Sequence, residues 1–399
     1  FHSNSSISDE NTSMYIDIVN KVSEPVELKM VSDSANRCCE ASADSDNIHN
    51  DICLAVRDPI VKNVACDRIK EDIVSLKVDS EQSISQTVFS DICIDLCHAV
   101  SESAAYNFEH LKIKVSSNLN IQFWRSELVE YSDSIICEFL EFGWPVNYTS
   151  DDKPISCDNN HPTALHHPQV IEDYIQKELQ HHALAGPFDV DPLDGDLHLS
   201  PLHTVPKKGN SAERRVVLDL SFPHMHSIND GIPCDSYLGQ DMILEYPTVD
   251  NLAQLIINDA ADGGAWMMKR DLSRAYRQLR IDPGDCKYLG FRWKGKYYMD
   301  IAPPFGLRTA AQACQRTTDA LAHIIAKKGI KMVNYVDDLA CTSTSEMGAL
   351  KAGQIVDNII EESGLVLAKH KSVDATQQMV FLGILFDSSN LTMSVTPDR

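Results

Sequence analysis

From about residue 260 onward, apolar positions switch repeatedly between the two-residue period of strands and the 3.6-residue period of helices. An apolar run over Ala265–Lys269 predicts a strand that leads into Asp271 and a short helix. Tyr288-Leu289-Gly290-Phe291 and Tyr297-Tyr298-Met299, joined through Lys294-Gly295, predict an aromatic hairpin. Ala310, Cys314, Leu321, Ile324 and Ile325 fall on one face of a long helix that Gly329 ends. A second hairpin follows around Tyr335-Val336-Asp337-Asp338. It is succeeded by a helix with Ala352, Ile355, Ile359 and Ile360 inward and Gly364 past its end. Strands over Leu365–Leu367 and Met379–Phe386 complete the pattern. The order predicts an α+β fold, an antiparallel sheet with helices on one face.

Upstream the pattern is weaker. Asp133 is placed to cap a helix carrying Ile135, Ile136, Phe139 and Leu140. Pro168 marks the first turn of another, with Val170, Ile171, Tyr174, Ile175 and Leu179 on one face and Gly186-Pro187 as its stop. Strand-like runs around 197–205 and 215–220 bracket Pro206-Lys207-Lys208-Gly209-Asn210. Residues 1–117 are acidic, rich in Ser and Asp, and show no sustained period, which predicts disorder. Within them Phe89, Ile92, Leu96 and Val100 recur at helical spacing.

Composition adds bounds. The chain has 399 residues, ample for a core and more than one domain, and no apolar run of membrane-spanning length. It opens on Phe1 without a signal-peptide pattern, and the missing initiator Met reads as a fragment. Its 12 cysteines form no Cys-x-x-Cys pair, so reduced thiols and an intracellular location, cytoplasm or nucleus, are expected. A net charge of −23 argues against a surface coated for nucleic-acid binding. More than half of that excess falls in the first 150 residues, and the remainder suits basic groups gathered in one cleft.

Asp337-Asp338 places two carboxylates in an apolar hairpin. Two like charges about 4 Å apart repel by roughly 4 kcal/mol at an effective dielectric near 20, so a cation is expected beside them. Taken alone, the pair is more often an exposed turn, and Asp271 more often an ordinary helix N-cap. Asp271 ends a strand that a sheet would set beside the hairpin, and carboxylates from separate strands are what a two-metal site at phosphorus requires.

Three motifs then agree in order and spacing. Asp271-Leu272-Ser273-Arg274-Ala275-Tyr276 resembles the Asp-x-x-x-x-aromatic motif of reverse transcriptases. Pro304-Phe305-Gly306-Leu307 resembles their Pro-Phe-Gly-Leu motif, and Tyr335-Val336-Asp337-Asp338 their aromatic-x-Asp-Asp (YVDD) motif. Pro206-Lys207-Lys208 with Arg214–Ser221 resembles the fingers hairpin, and Gly364-Leu365, Lys371-Ser372 and Phe381-Leu382-Gly383 the last palm motifs. Asn120–Trp124, His167-Pro168, Ala185–Phe188 and Ser200-Pro201-Leu202 are similar to segments of DIRS-type retrotransposon enzymes.

The resemblance implies an RNA-directed DNA polymerase with right-hand fingers and palm. The expected division is a disordered 1–117, a helical 118–194, fingers and palm over 195–390, and a stub at 391–399 with thumb and ribonuclease H absent. It implies a primed RNA or DNA template, deoxynucleoside triphosphates, two Mg²⁺ ions with Mn²⁺ as an alternative, and no membrane. Asp271 and Asp337 would bridge the two ions, with Asp338 a weaker ligand and the Leu272 carbonyl a further oxygen. Lys208 and Arg215 would grip the triphosphate, with Lys207 an open alternative to Lys208. Tyr276 would exclude a ribose 2′-hydroxyl. Phe305, where retroviral enzymes carry Gln, would give an apolar nucleotide contact, and Gly306 would allow close backbone approach. Lys371 would protonate pyrophosphate. Arg274, Arg277 and Arg280 would track a nucleic-acid backbone or form a charged helix face. A non-catalytic palm remnant or domesticated nucleic-acid-binding protein is the alternative reading, and a palm-fold nucleotide cyclase accounts for less of the motif set.

Overall fold

The computed structural model describes residues 117–396, apart from 208–209, 242–243, 245 and 261–262. The expectations for the acidic N-terminal region, including its helical spacing, lie outside the described residues, as does Lys208.

A four-stranded antiparallel sheet runs in the order Val373–Thr376, Trp266–Asp271, Asp338–Ser343, Met332–Tyr335. Strand alternation sends successive side chains to opposite faces, and both faces are covered. Met268, Leu339 and Cys341 pack with the long helices Ala310–Ala326 and Glu346–Glu362. Met267, Val333 and Ala340 pack against Leu252 and Ile256 of the helix Val249–Asp259 and against a small C-terminal sheet. Helices therefore lie on both faces, two on one and one on the other. The third helix is signalled by Thr248 and Asn251, whose side chains form a reciprocal capping box.

The strand expected at 365–367 reduces to a single bridge, Leu272 with Leu367. Its place at the sheet edge is taken by Val373–Thr376, whose mixed polarity suits an edge. The run 379–386 splits into the hairpin Gln378–Phe381 and Ile384–Asp387, because Leu382 and Gly383 both adopt positive φ between them.

Residues 118–194 are not only helical. Helices Ile121–Glu127, Ile136–Phe142 and Pro168–Gln180 are followed by a strand, Leu184–Phe188, which contains Gly186-Pro187 and joins the aromatic hairpin Gly290–Trp293 and Lys296–Asp300. Asp133 caps no helix. Its carboxylate takes two hydrogen bonds of 2.9 Å from Arg316. Trp124 is fully buried, and its indole N–H donates to the Ser363 carbonyl at 2.9 Å, tying this segment to the end of helix Glu346–Glu362. Strands Leu202–Lys207 and Asn210–Leu218 form a separate two-stranded hairpin.

Candidate active site

The sheet register builds the acidic cluster. Asp338 pairs directly with Asp271, and the Leu272 amide donates to the Asp337 carbonyl at 3.0 Å. Strands Met332–Tyr335 and Asp338–Ser343 are joined by only Val336 and Asp337, so the turn holds the second acid at the sheet's end. Val336 has φ of 54°, a left-handed conformation that costs a β-branched residue about 1–2 kcal/mol. The long helix holds it there. Buried Gln315 accepts from the Val336 amide at 2.8 Å and donates to the Asn334 carbonyl at 3.1 Å. Sequence reading had no role for Gln315, although it lies one residue from the inward-facing Cys314.

Burial, together with the charges of Asp271 and Asp338, pushes the Asp337 carboxyl above the ordinary carboxylate range, and Lys371 opposes that shift. Two lysines already serve the cluster. The Lys371 ammonium lies 2.9 and 3.1 Å from the two oxygens of Asp271. The Lys269 ammonium lies 3.2 Å from Asp338 Oδ1, a buried oxygen that nonetheless receives no hydrogen bond. Sequence reading missed Lys269, yet strand alternation places it on the same face as Asp271.

Among the described residues, no three His, Cys, Asp or Glu side chains stand close enough to form a ready metal cage. The donor set still fits a hard divalent cation: carboxylate oxygens, an under-compensated Asp337, and ammonium groups standing in for a cation at both Asp271 and Asp338.

A second cluster borders the first. The Arg215 guanidinium lies 4.6 Å from the Phe305 ring centroid, and that ring is 5.6 Å from Tyr276. Burial, with Cys314 and Asp337 nearby, raises the Tyr276 hydroxyl, which links the clusters electrostatically. Gly306 has φ of 113°, and a Cβ there would sit 1.9 Å from the Leu218 carbonyl oxygen. The Leu218 amide donates to Phe305 at 3.0 Å, while Asn229 donates to the Gly306 carbonyl at 2.7 Å. Lys207, the alternative to Lys208, pairs with Glu213 across its own hairpin. Tyr246, with its ring 5.4 Å from that of Tyr335, is a further aromatic that no motif marked.

Two of the three arginines after Asp271 are too deeply buried to track a backbone. Arg277 and Arg280 are 5% and 4% exposed. Arg277 bonds Glu178 and Asp300, and Arg274 also bonds Glu178. Burial sets Arg277 inside the protein, where a guanidinium requires paired acids, whereas the Arg274 side chain stays 20% exposed.

Residues 220–386 match the family described as reverse transcriptase (RNA-dependent DNA polymerase), so the chain carries a reverse transcriptase domain. The retrovirus-related Pol polyprotein from transposon 297 of Drosophila melanogaster is 24% identical over 348 residues, 84% of this chain and 27% of that protein. A foamy viral protease-reverse transcriptase, solved with double-stranded DNA, superposes with a TM-score of 0.50 at 18% identity, over 70% of this chain and 48% of that one. The native prototype foamy virus protease-reverse transcriptase gives a TM-score of 0.46 at 21% identity, over 63% of this chain and 30% of that one. The chain thus spans about a quarter of the Drosophila relative and under half of the foamy virus chains. The fold is that of reverse transcriptases, an α+β arrangement of helices and antiparallel sheets.

Proposed function

We propose that the chain acts as the RNA-directed DNA polymerase of a retrotransposon of DIRS type, extending a primer on an RNA or DNA template with deoxynucleotides. The observation that carries this reading is the register that sets Asp338 opposite Asp271 with Asp337 at the adjoining turn. Asp271 and Asp337, assisted by Asp338 and the Leu272 carbonyl, would hold two Mg²⁺ ions. When bound, the ions supply Lewis acidity to the primer hydroxyl and charge neutralisation to the triphosphate.

The chain's own groups do the rest. Arg215 and Lys208 bind the triphosphate and orient its leaving group. Tyr276 occupies the volume of a ribose 2′-hydroxyl, and Phe305 backs it with an apolar ring. Gly306 lets the backbone come close to the nucleotide. Lys371, which lies beside Asp271, gives a proton to departing pyrophosphate. The division into fingers and palm over 195–390, and an intracellular location, belong to the same reading. The described cysteines are all free thiols, which is consistent with such a location.

One observation favours the second reading, a non-catalytic palm that binds nucleic acid: lysines already neutralise Asp271 and Asp338. Primer extension separates the two. The full chain is given a primed RNA template, deoxynucleotides and Mg²⁺. Extension that depends on Mg²⁺ supports the polymerase. Template binding without extension supports the binding protein.

A further inference from the structure

The four-residue helix Ala275–Gln278 carries Tyr276, yet a single turn has no stability of its own. Its entry is strained as well, since Arg274 is left-handed at φ 53°. Something outside the turn must hold it. On one side Gln278 bonds the backbone of Val366, donating at 3.1 Å and accepting at 2.7 Å. On the other, Arg274 and Arg277 converge on one oxygen of Glu178, with Arg277 at 2.9 Å. Arg277 also donates to Asp300 at 2.5 Å and to the carbonyls of Ala302 and Ala183 at 2.7 and 3.1 Å.

Glu178 and Asp300 come from elements far apart in the chain, the helix Pro168–Gln180 and the strand Lys296–Asp300. Their side chains are 5% and 1% exposed, and that of Arg277 is 4% exposed. None of the three can touch a nucleotide. We propose that Glu178 and Asp300, acting through Arg274 and Arg277, are positioning residues that fix the Tyr276 ring and so determine selection of the nucleotide sugar. The inference rests on the reading of Tyr276 as the sugar gate. The geometry gives the reason: Phe305 is held independently, through Leu218, so the 5.6 Å spacing between the two rings depends on where the one-turn helix is clamped. Two arginines flanking the tyrosine and sharing one carboxylate fix its rotation as well as its depth.

The test compares the full chain with Glu178→Gln, Arg274→Gln, Tyr276→Ala and each double variant with Tyr276→Ala. The ratio of kcat/KM for deoxy- over ribonucleotides is measured in primer extension. Binding of a deoxy- and a ribonucleoside triphosphate to the chain alone is titrated in parallel. Glu178→Gln is expected to lower discrimination about tenfold, chiefly through a lower KM for the ribonucleotide, and Arg274→Lys to restore part of what Arg274→Gln loses. In the Tyr276→Ala background neither change should lower discrimination further, because the ring they position is gone. If Glu178→Gln does not fold, Arg274→Gln, at the more exposed end of the clamp, carries the same comparison. Unchanged discrimination in the clamp variants, or losses that simply add to that of Tyr276→Ala, overturns the inference while leaving the gate intact. Unchanged discrimination in Tyr276→Ala itself overturns the gate and the inference together.

Discussion

The ammonium of Lys371 bridges both oxygens of Asp271, at 2.9 and 3.1 Å, across a hundred residues of chain. A divalent ion at Asp271 must displace or share that contact. Half of the Lys371 side chain remains exposed, so it can swing toward solvent and a leaving group. Lys371→Ala is therefore expected to lower the Mg²⁺ concentration for half-maximal extension severalfold while reducing kcat about tenfold or more. A Mg²⁺ titration of extension rate checks both. A weaker Mg²⁺ requirement with unchanged kcat would remove the proton-donor role and leave only the competition.

Gly306 is a test of the join between the two clusters. Its φ of 113° and the 1.9 Å approach to the Leu218 oxygen leave no room for a methyl group. Gly306→Ala should cost at least about 2 kcal/mol through left-handed strain and a backbone clash. Denaturant unfolding measures the loss, and the KM for deoxynucleotides should rise because Phe305 shifts with its neighbour. A variant of unaltered stability would show that this loop is not held as described.

Acid sensitivity should trace in part to His198. Burial alone lowers its pKa to about 4, and its Nε2 is buried without a partner. The unfolded chain binds this proton near pH 6.5, so stability from His198 is full above that pH and lost as pH falls from 6.5 toward 4. Asp300, raised to about 6 by burial despite Arg277, works in the opposite sense: stability falls as pH rises from about 4 to 6. The two slopes oppose each other below pH 6. His198→Leu should flatten the decline between pH 6.5 and 4 by up to about 3 kcal/mol, measured by urea unfolding across that range. An identical pH profile in the variant would place the sensitivity elsewhere.

The acids of the candidate site were legible because they are local. Asp337 and Asp338 adjoin in sequence, and Asp271 ends an apolar run whose register places it opposite Asp338. Contacts made by buried polar side chains were not legible. Glu178 stands in the apolar stripe of its helix, seven residues after Ile171 and three after Ile175, where an acid signals a buried cation partner. The sequence does not say which arginine answers it. Gln315 was missed for the same reason, and the 365–367 strand failed because hydrophobicity marked burial without supplying a partner strand.

The central claim is that Asp271 and Asp337 together drive templated deoxynucleotide addition. Asp337→Asn keeps the shape of the turn and removes one of three mutually repelling charges, so the folded chain should be at least as stable as the parent. The decisive measurement is single-turnover extension of a primed RNA template by the full chain and by Asp337→Asn, with primer-template binding measured alongside. The account predicts extension by the parent, a loss of at least about a thousandfold in the variant, and equal binding by both. Extension by Asp337→Asn at the parent's rate would contradict it.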